Sequence, residues 1–222
     1  MDLSQILSAA QSHDASVRGS GEARLASLEA DAPTFFQALS SHIAADANAP
    51  AERKLAGTCR ILGFFPFRST QFSCPSCPSH ARSSRHRLIT TGLVLKNALD
   101  SRDASKKEQQ AARWLALAEN VRVSTKQALL LALGASEFDI GHTAGLVVAK
   151  IAAIEIPKDL WPDLIPGLLE GAAKKDDGGA AGRRQSSIEL LGYICEELAA
   201  FEDDYLNEEM MNAILTGVVT AM

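Results

Sequence analysis

Aromatic residues make up only 5% of this 222-residue chain, and runs of β-branched residues are scarce. Strands draw on both kinds of side chain, so their scarcity argues against a sheet protein. Alanine and leucine dominate instead, and they favour close-packed helices. No apolar run approaches the roughly 20 residues that cross a bilayer, so no membrane partner is expected. The first residues, Met1–Ser12, lack the basic flank and long apolar centre of a secretory leader. Four cysteines in an otherwise intracellular-looking chain imply reduced thiols and not a disulfide framework. Cations are outnumbered, 22 Lys and Arg against 27 Asp and Glu, for a net charge of −5. That balance disfavours binding to a phosphate backbone, so no nucleic-acid partner is expected, and it favours basic protein partners.

What is present is a succession of helical patterns of about 10–18 residues separated by short polar breaks. Leu3, Ile6, Leu7 and Ala10 form a first short stripe behind Asp2. Ser16–Ala30 places Val17, Gly21, Leu25 and Leu28 on one face. Phe35, Phe36, Leu39 and Ile43 share the next stripe, at i, i+1, i+4 and i+8. Further helices are expected over Gln109–Ala118, Val123–Leu133, His142–Ile154, Pro162–Ala173, Arg184–Ala200 and Asn207–Ala221. His142–Ile154 is almost wholly apolar, the mark of a helix buried between neighbours. A shorter helix, a tight break and a more apolar helix recur about every 40 residues, the spacing of HEAT or armadillo arrays. The expected fold is therefore all-α, an α-solenoid of HEAT/armadillo-type hairpins over residues 1–222. The last pattern, with Ile214, Leu215, Val218 and Val219, carries no stop signal, which sets the expectation of a fragment of a longer protein.

One stretch departs from this style. Thr58–Gly92 contains no Asp, Glu or Lys, yet holds three of the four cysteines, four of the eight phenylalanines and Arg60, Arg68, Arg82, Arg85 and Arg87. Neither a helical nor a strand period survives through Ser73–Arg87. Joining Gly57 to Leu93 aligns Ala51, Leu55, Leu93, Val94 and Ala98 on one helical stripe. The flanks thus read as two halves of a single helix, whereas a native insertion belongs at a loop tip. Residues 58–92 are accordingly expected to be an irregular insertion, with a retained intron or a gene-model error as its origin; a nucleic-acid-binding arm of the five arginines is the weaker alternative, since nothing regular presents them.

Chemistry-bearing groups are sparse elsewhere. Cys74, Cys77, His80 and His86 offer a zinc set, but the usual separation of about 12–20 residues between ligand pairs is missing, and no metal or other cofactor is expected. His13, His42 and His142 stand without a second histidine at ligand spacing, and His42 has only Asp46 one turn on. Cys195 sits on an apolar stripe, as a small buried hydrophobe does. Asp176–Gly179 lacks the spacing of a calcium loop and reads as a linker. Glu196, Glu197 and Glu202–Asp204 read as solvated helix ends that can add to an acidic surface for basic cargo. No constellation makes an active site, so a binding protein and not an enzyme is expected.

Three segments resemble the importin-β (karyopherin-β) family. Pro157–Pro166 is similar to its I-P-x-x-x-W-P-[DE]-L-I-P turn, Leu191-Gly-Tyr-Ile-Cys195 to a helix further on, and Ala56-Gly57 joined to Leu93–Leu99, with Arg113-Trp114-Leu115, to its A-G-L-x-x-K-N-x-L…R-W-L pattern. The resemblance implies an N-terminal segment of such a protein, with residues 22–134 as its N-terminal-domain-like region. It further implies a nuclear transport receptor found in the cytoplasm, the nucleus and at the nuclear pore, which binds Ran-GTP, phenylalanine-glycine nucleoporins, and importin-α or cargo through later repeats. By residue, it implies Ran contacts at Lys96, Asn97, Arg102 and Asp103, and half of a nucleoporin groove at Val218 and Val219. A HEAT scaffold subunit of another complex is the alternative.

Overall fold

The computed structural model describes residues 3–47, 90–135, 138–173, 181–199, 201 and 205–221, and among these every regular element is helical. In chain order they are α1 (Leu3–Ala10), α2 (Ala15–Ala30) and α3 (Ala32–Ala47). The described part of α4 covers 90–99. There follow α5 (Ala104–Leu115), α6 (Glu119–Leu133), α7 (Phe138–Glu155), a 3₁₀ turn (Ile156–Lys158), α8 (Leu164–Ala173), α9 (Ala181–Leu198) and α10 (Glu208–Ala221). The starts of α6, α8 and α10 lie 45 and 44 residues apart, at 119, 164 and 208. That is the repeat the sequence pattern gives.

Consecutive helices pair as hairpins, α1 with α2, α6 with α7 and α8 with α9. The hairpins then stack so that like meets like: α3 lies along α6, α8 along α10, and α7 along α9. Each helix thus covers the apolar stripe that its hairpin partner leaves open, and one continuous core results. Phe35, Phe36, Leu39 and Ile43 are all buried, as their spacing predicts. Trp114, the largest fully buried side chain, meets Phe36 edge-on, with ring centroids 5.2 Å apart.

Two glycines mark close approaches. A Cβ on Gly21 would collide with the backbone of Ala9 and Ala10, so α1 and α2 touch main chain to side-chain-free main chain. A Cβ on Gly92 would collide with the Thr143 methyl, which sets α4 tightly against α7.

Several expectations need correction. Residues 90–92, assigned to the irregular insertion, are helical and continuous with 93–99. Thr91 is fully buried and Gly92 takes the place before Leu93 that Gly57 would fill. Residues 58–89 lie outside the described residues, as do Asp176–Gly179 and Glu202–Asp204. Val17, Leu130, Met211 and Leu215 are exposed, at the edges of stripes whose centres are buried. Asp139–Lys158 is, by length and composition, long and apolar enough to cross a membrane, contrary to the estimate from apolar runs. Two-thirds of that span is buried inside the array, between α6 and α9, which is how a core helix of a solenoid is covered.

Candidate protein-binding surface

The segment from Lys96 to Asp103 joins the end of α4 to the start of α5, and each of its polar groups has a distinct setting. Lys96 is half-buried on the last turn of α4, while Asn97 and Arg102 are exposed. Among the described residues neither Lys96 nor Arg102 is paired with a carboxylate. Asp103 is the N-cap of α5: its Oδ1 accepts from the backbone N–H groups of Ser105 at 3.0 Å and Lys106 at 3.4 Å. The Asn97 contribution runs through its backbone, whose carbonyl accepts from Gln110 Nε2 at 2.9 Å. Of the four expected partner-contacting residues, then, Asp103 also caps a helix and Asn97 also anchors α5 to α4.

Between them sits Asp100, which sequence reasoning passed over. Its Oδ2 lies 2.7 Å from Lys150 Nζ on α7, and the same ammonium lies 2.6 Å from Glu197 Oε1 on α9. One lysine therefore links the residue that follows α4 to α7 and α9. Burial works against its charge, but the hydrogen bonds and charges of Asp100 and Glu197 outweigh this and raise its pKa above the ordinary lysine value. One turn and more away on the same two helices, Tyr193 Oη and His142 Nδ1 are 3.1 Å apart, with Glu189 Oε2 3.7 Å from that nitrogen. Burial first, then the charges of Glu189 and Glu196, push the Tyr193 phenol up. The sequence signal for Lys150 was present: it is the single charged residue of the apolar run 142–154.

A second polar centre supports this face from behind. Glu155, at the end of α7, is fully buried. Its Oε1 accepts from the Trp114 indole N–H at 3.0 Å and lies 3.3 Å from Arg122, while Oε2 is 2.7 Å from Lys126. Lys126 also stands over the Trp161 ring, its Nζ 4.6 Å from the centroid. Arg113 binds the Glu29 backbone carbonyl, meets its carboxylate at 3.3 Å, and lies over the Phe35 ring at 5.7 Å. The Arg113-Trp114-Leu115 motif is thus a strap that fastens α5 to α2 on one side and to α7 on the other. His42 is part of the packing as well: Ser4 Oγ lies 2.9 Å from one ring nitrogen and Thr91 Oγ1 3.2 Å from the other. His42 thereby bridges α1, α3 and α4.

At the other end, Val218 is half-buried and packs on the core, whereas Val219 is 72% exposed. Met211, Leu215 and Val219 form an exposed apolar stripe at i, i+4 and i+8 of α10. No three metal-ligating side chains are grouped among the described residues, and Cys74, Cys77, His80 and His86 lie outside them.

No family model matches the chain. Over its whole length it is 33% identical to importin subunit beta-1 of Arabidopsis thaliana, of which it covers 21%. It is 35% identical over 131 residues, 59% of its length, to importin subunit beta-1 of Schizosaccharomyces pombe, of which it covers 14%. A crystal structure of importin β grown in ammonium sulfate superimposes on all of it with a TM-score of 0.67 at 25% identity, over 21% of that chain. The chain belongs to the importin-β family. As a family member it spans about a fifth of the length of the relatives it matches over its full extent. The fold is shared as well with the Kap95:Nup1 complex, at 24% identity and a TM-score of 0.69 over 98% of this chain and 21% of that one. It is shared too with Kap95p bound to RanGDP, at 21% identity and a TM-score of 0.64 over 99% and 23%.

Proposed function

We infer that this importin-β segment belongs to a nuclear transport receptor and acts by binding proteins, with Ran-GTP meeting the Lys96–Asp103 surface. The observation that carries the reading is the pair of cations Lys96 and Arg102, unmatched by a described carboxylate at the end of α4, in a chain with importin subunit beta-1 relatives. The fold shared with Kap95p in its RanGDP-bound structure supports Ran as the partner. Asn97 and Asp103 contribute by holding α5 in register behind the two cations. The exposed stripe of α10, including Val219 beside half-buried Val218, supports phenylalanine-glycine nucleoporins as a second partner, in line with the fold of the Kap95:Nup1 complex. Importin-α and cargo fall to repeats beyond this segment, and the receptor shuttles between cytoplasm and nucleus through the pore.

Residues 22–134 form the N-terminal-domain-like region in this reading, and 58–92 remain a retained intron. Removing 58–92 puts Gly57 directly before Leu93, where Gly92 now stands. Sequencing of spliced messenger RNA is expected to find transcripts without these codons, and abundant transcripts that keep them count against an intron.

A pull-down compares Ran-GTP with Ran-GDP on the full chain and on a variant lacking residues 58–92. The shorter variant is expected to retain Ran-GTP in preference to Ran-GDP, and Lys96→Ala with Arg102→Ala to weaken that retention. Binding by neither chain would sink the Ran reading.

A further inference from the structure

Asp100 meets one lysine in the structure and follows another by four residues, and which one it takes decides what the surface can offer. Lys96 precedes it by four residues on α4, the spacing at which opposite charges pair along a helix. Lys150 faces it from α7, and the structure places the carboxylate there, at 2.7 Å. Lys150 is poorly free to move: its side chain is 15% exposed and Glu197 holds it from the other side at 2.6 Å. The backbone of Asp100 is meanwhile fixed by its N–H donating to the Lys96 carbonyl at 3.1 Å, so only the side chain has a choice.

We propose that Lys150 is a positioning residue for the Lys96–Arg102 surface: by drawing the Asp100 carboxylate across to α7, it keeps that carboxylate off Lys96 and leaves both cations for an acidic group on the partner. This rests on the reading that Lys96 and Arg102 face a partner. Without Lys150 the Asp100 carboxylate loses its cross-helix partner, and Lys96 stands one helical turn before it in the chain. An internal Lys96–Asp100 pair then competes with any external carboxylate. Glu197 orients Lys150 from behind, so loss of its charge acts in the same direction and more weakly.

Two readouts on the full chain separate this role from plain structural support. The first is the affinity for Ran-GTP. The second is the rate at which a small amine-reactive acetyl ester modifies Lys96, followed by mass spectrometry, because a paired ammonium gives up its proton less readily and acylates more slowly. Lys150→Met is expected to slow acylation of Lys96 and to weaken Ran-GTP binding by roughly two- to fivefold, the range of a partly exposed ion pair. Adding Asp100→Asn to Lys150→Met removes the competing carboxylate and restores both, although the double variant lacks the cross-helix bridge altogether. Lys150→Arg keeps both near the parent.

Unchanged Lys96 reactivity in Lys150→Met overturns the proposal, and so does a double variant that fails to recover. If the parent chain binds no Ran-GTP, the partner reading fails by itself. The acylation series still decides the role of Lys150 in that case.

Discussion

The indole N–H of Trp114 donates to the fully buried carboxylate of Glu155 at 3.0 Å, across 41 residues of sequence. Arg122 and Lys126 complete the setting of that carboxylate at 3.3 and 2.7 Å. One charge therefore fastens α5, α6 and α7 at a single point. A buried carboxylate is tolerated only when its oxygens are matched in this way.

Removal of the charge should be costly. Glu155→Ala leaves Arg122 and Lys126 without their carboxylate, and a loss of about 3 kcal/mol is expected, as for a broken buried pair. Trp114→Phe keeps the ring against Phe36 but removes one of the two donors to Glu155 Oε1, leaving Arg122 at 3.3 Å, for about 1 kcal/mol. Trp114→Ala also empties the core, for about 3–5 kcal/mol. Chemical denaturation that ranks Trp114→Phe as costly as Trp114→Ala would contradict this division.

Gly21→Ala tests the close approach of α1 to α2. The added methyl meets the backbone of Ala9 and Ala10, which cannot rotate away as a side chain can. Separation of the two helices is expected, with a loss of about 1–3 kcal/mol. Gly19→Ala, where open space surrounds the position, should be neutral or slightly stabilising through helix propensity. Equal melting temperatures for the two variants would argue against the contact.

Asp103 distinguishes capping from partner contact. Asp103→Ala removes the acceptor for Ser105 and Lys106 and should cost about 1 kcal/mol. Asp103→Ser retains the cap without the charge and should recover most of that stability. If Ran-GTP binding follows stability through this pair, Asp103 acts by holding α5. Binding lost in both variants assigns it a direct contact through its charge.

Alkaline pH should loosen the link between α4, α7 and α9. The Lys150 pKa is raised in the folded chain, so its contribution is complete below the unfolded lysine value of 10.5 and disappears as pH rises through the folded value. Tyr193, raised above 10.0 by burial and by Glu189 and Glu196, acts in the same direction, because the unfolded phenol ionises first. Stability is expected to be flat with respect to Lys150 below pH 10 and to fall above it. In Lys150→Met the fall should be shallower, as read by denaturation at a series of pH values.

Periodicity alone was enough for the helices and for the buried faces whose centres it marks. Phe35, Phe36, Leu39 and Ile43, or Leu191, Ile194 and Leu198, are buried as their spacing requires. The W-P turn was legible for the same local reason, since proline and tryptophan act on the chain beside them. The family, too, could be read from motifs in the order they occur. Edges of stripes were not legible: Val17, Met211 and Leu215 share a phase with buried neighbours, yet stand exposed because nothing described covers that side. The helical state of Thr90–Gly92 was not legible either, because their contacts, Thr91 on His42 and Gly92 on Thr143, are ones that composition does not report.

By itself the sequence determined an all-helical repeat array of the importin-β family, because hydrophobic period, breaks and local motifs are properties of neighbouring residues. Only the tertiary structure decided which charges meet. Asp100 just past α4, Lys150 on α7 and Glu197 on α9 meet, as do Trp114 on α5, Lys126 on α6 and Glu155 on α7. A helical period gives each side chain a direction around its own axis. The offset and angle at which helices stack give it a partner, and those follow from the packing of whole faces such as Gly92 against Thr143.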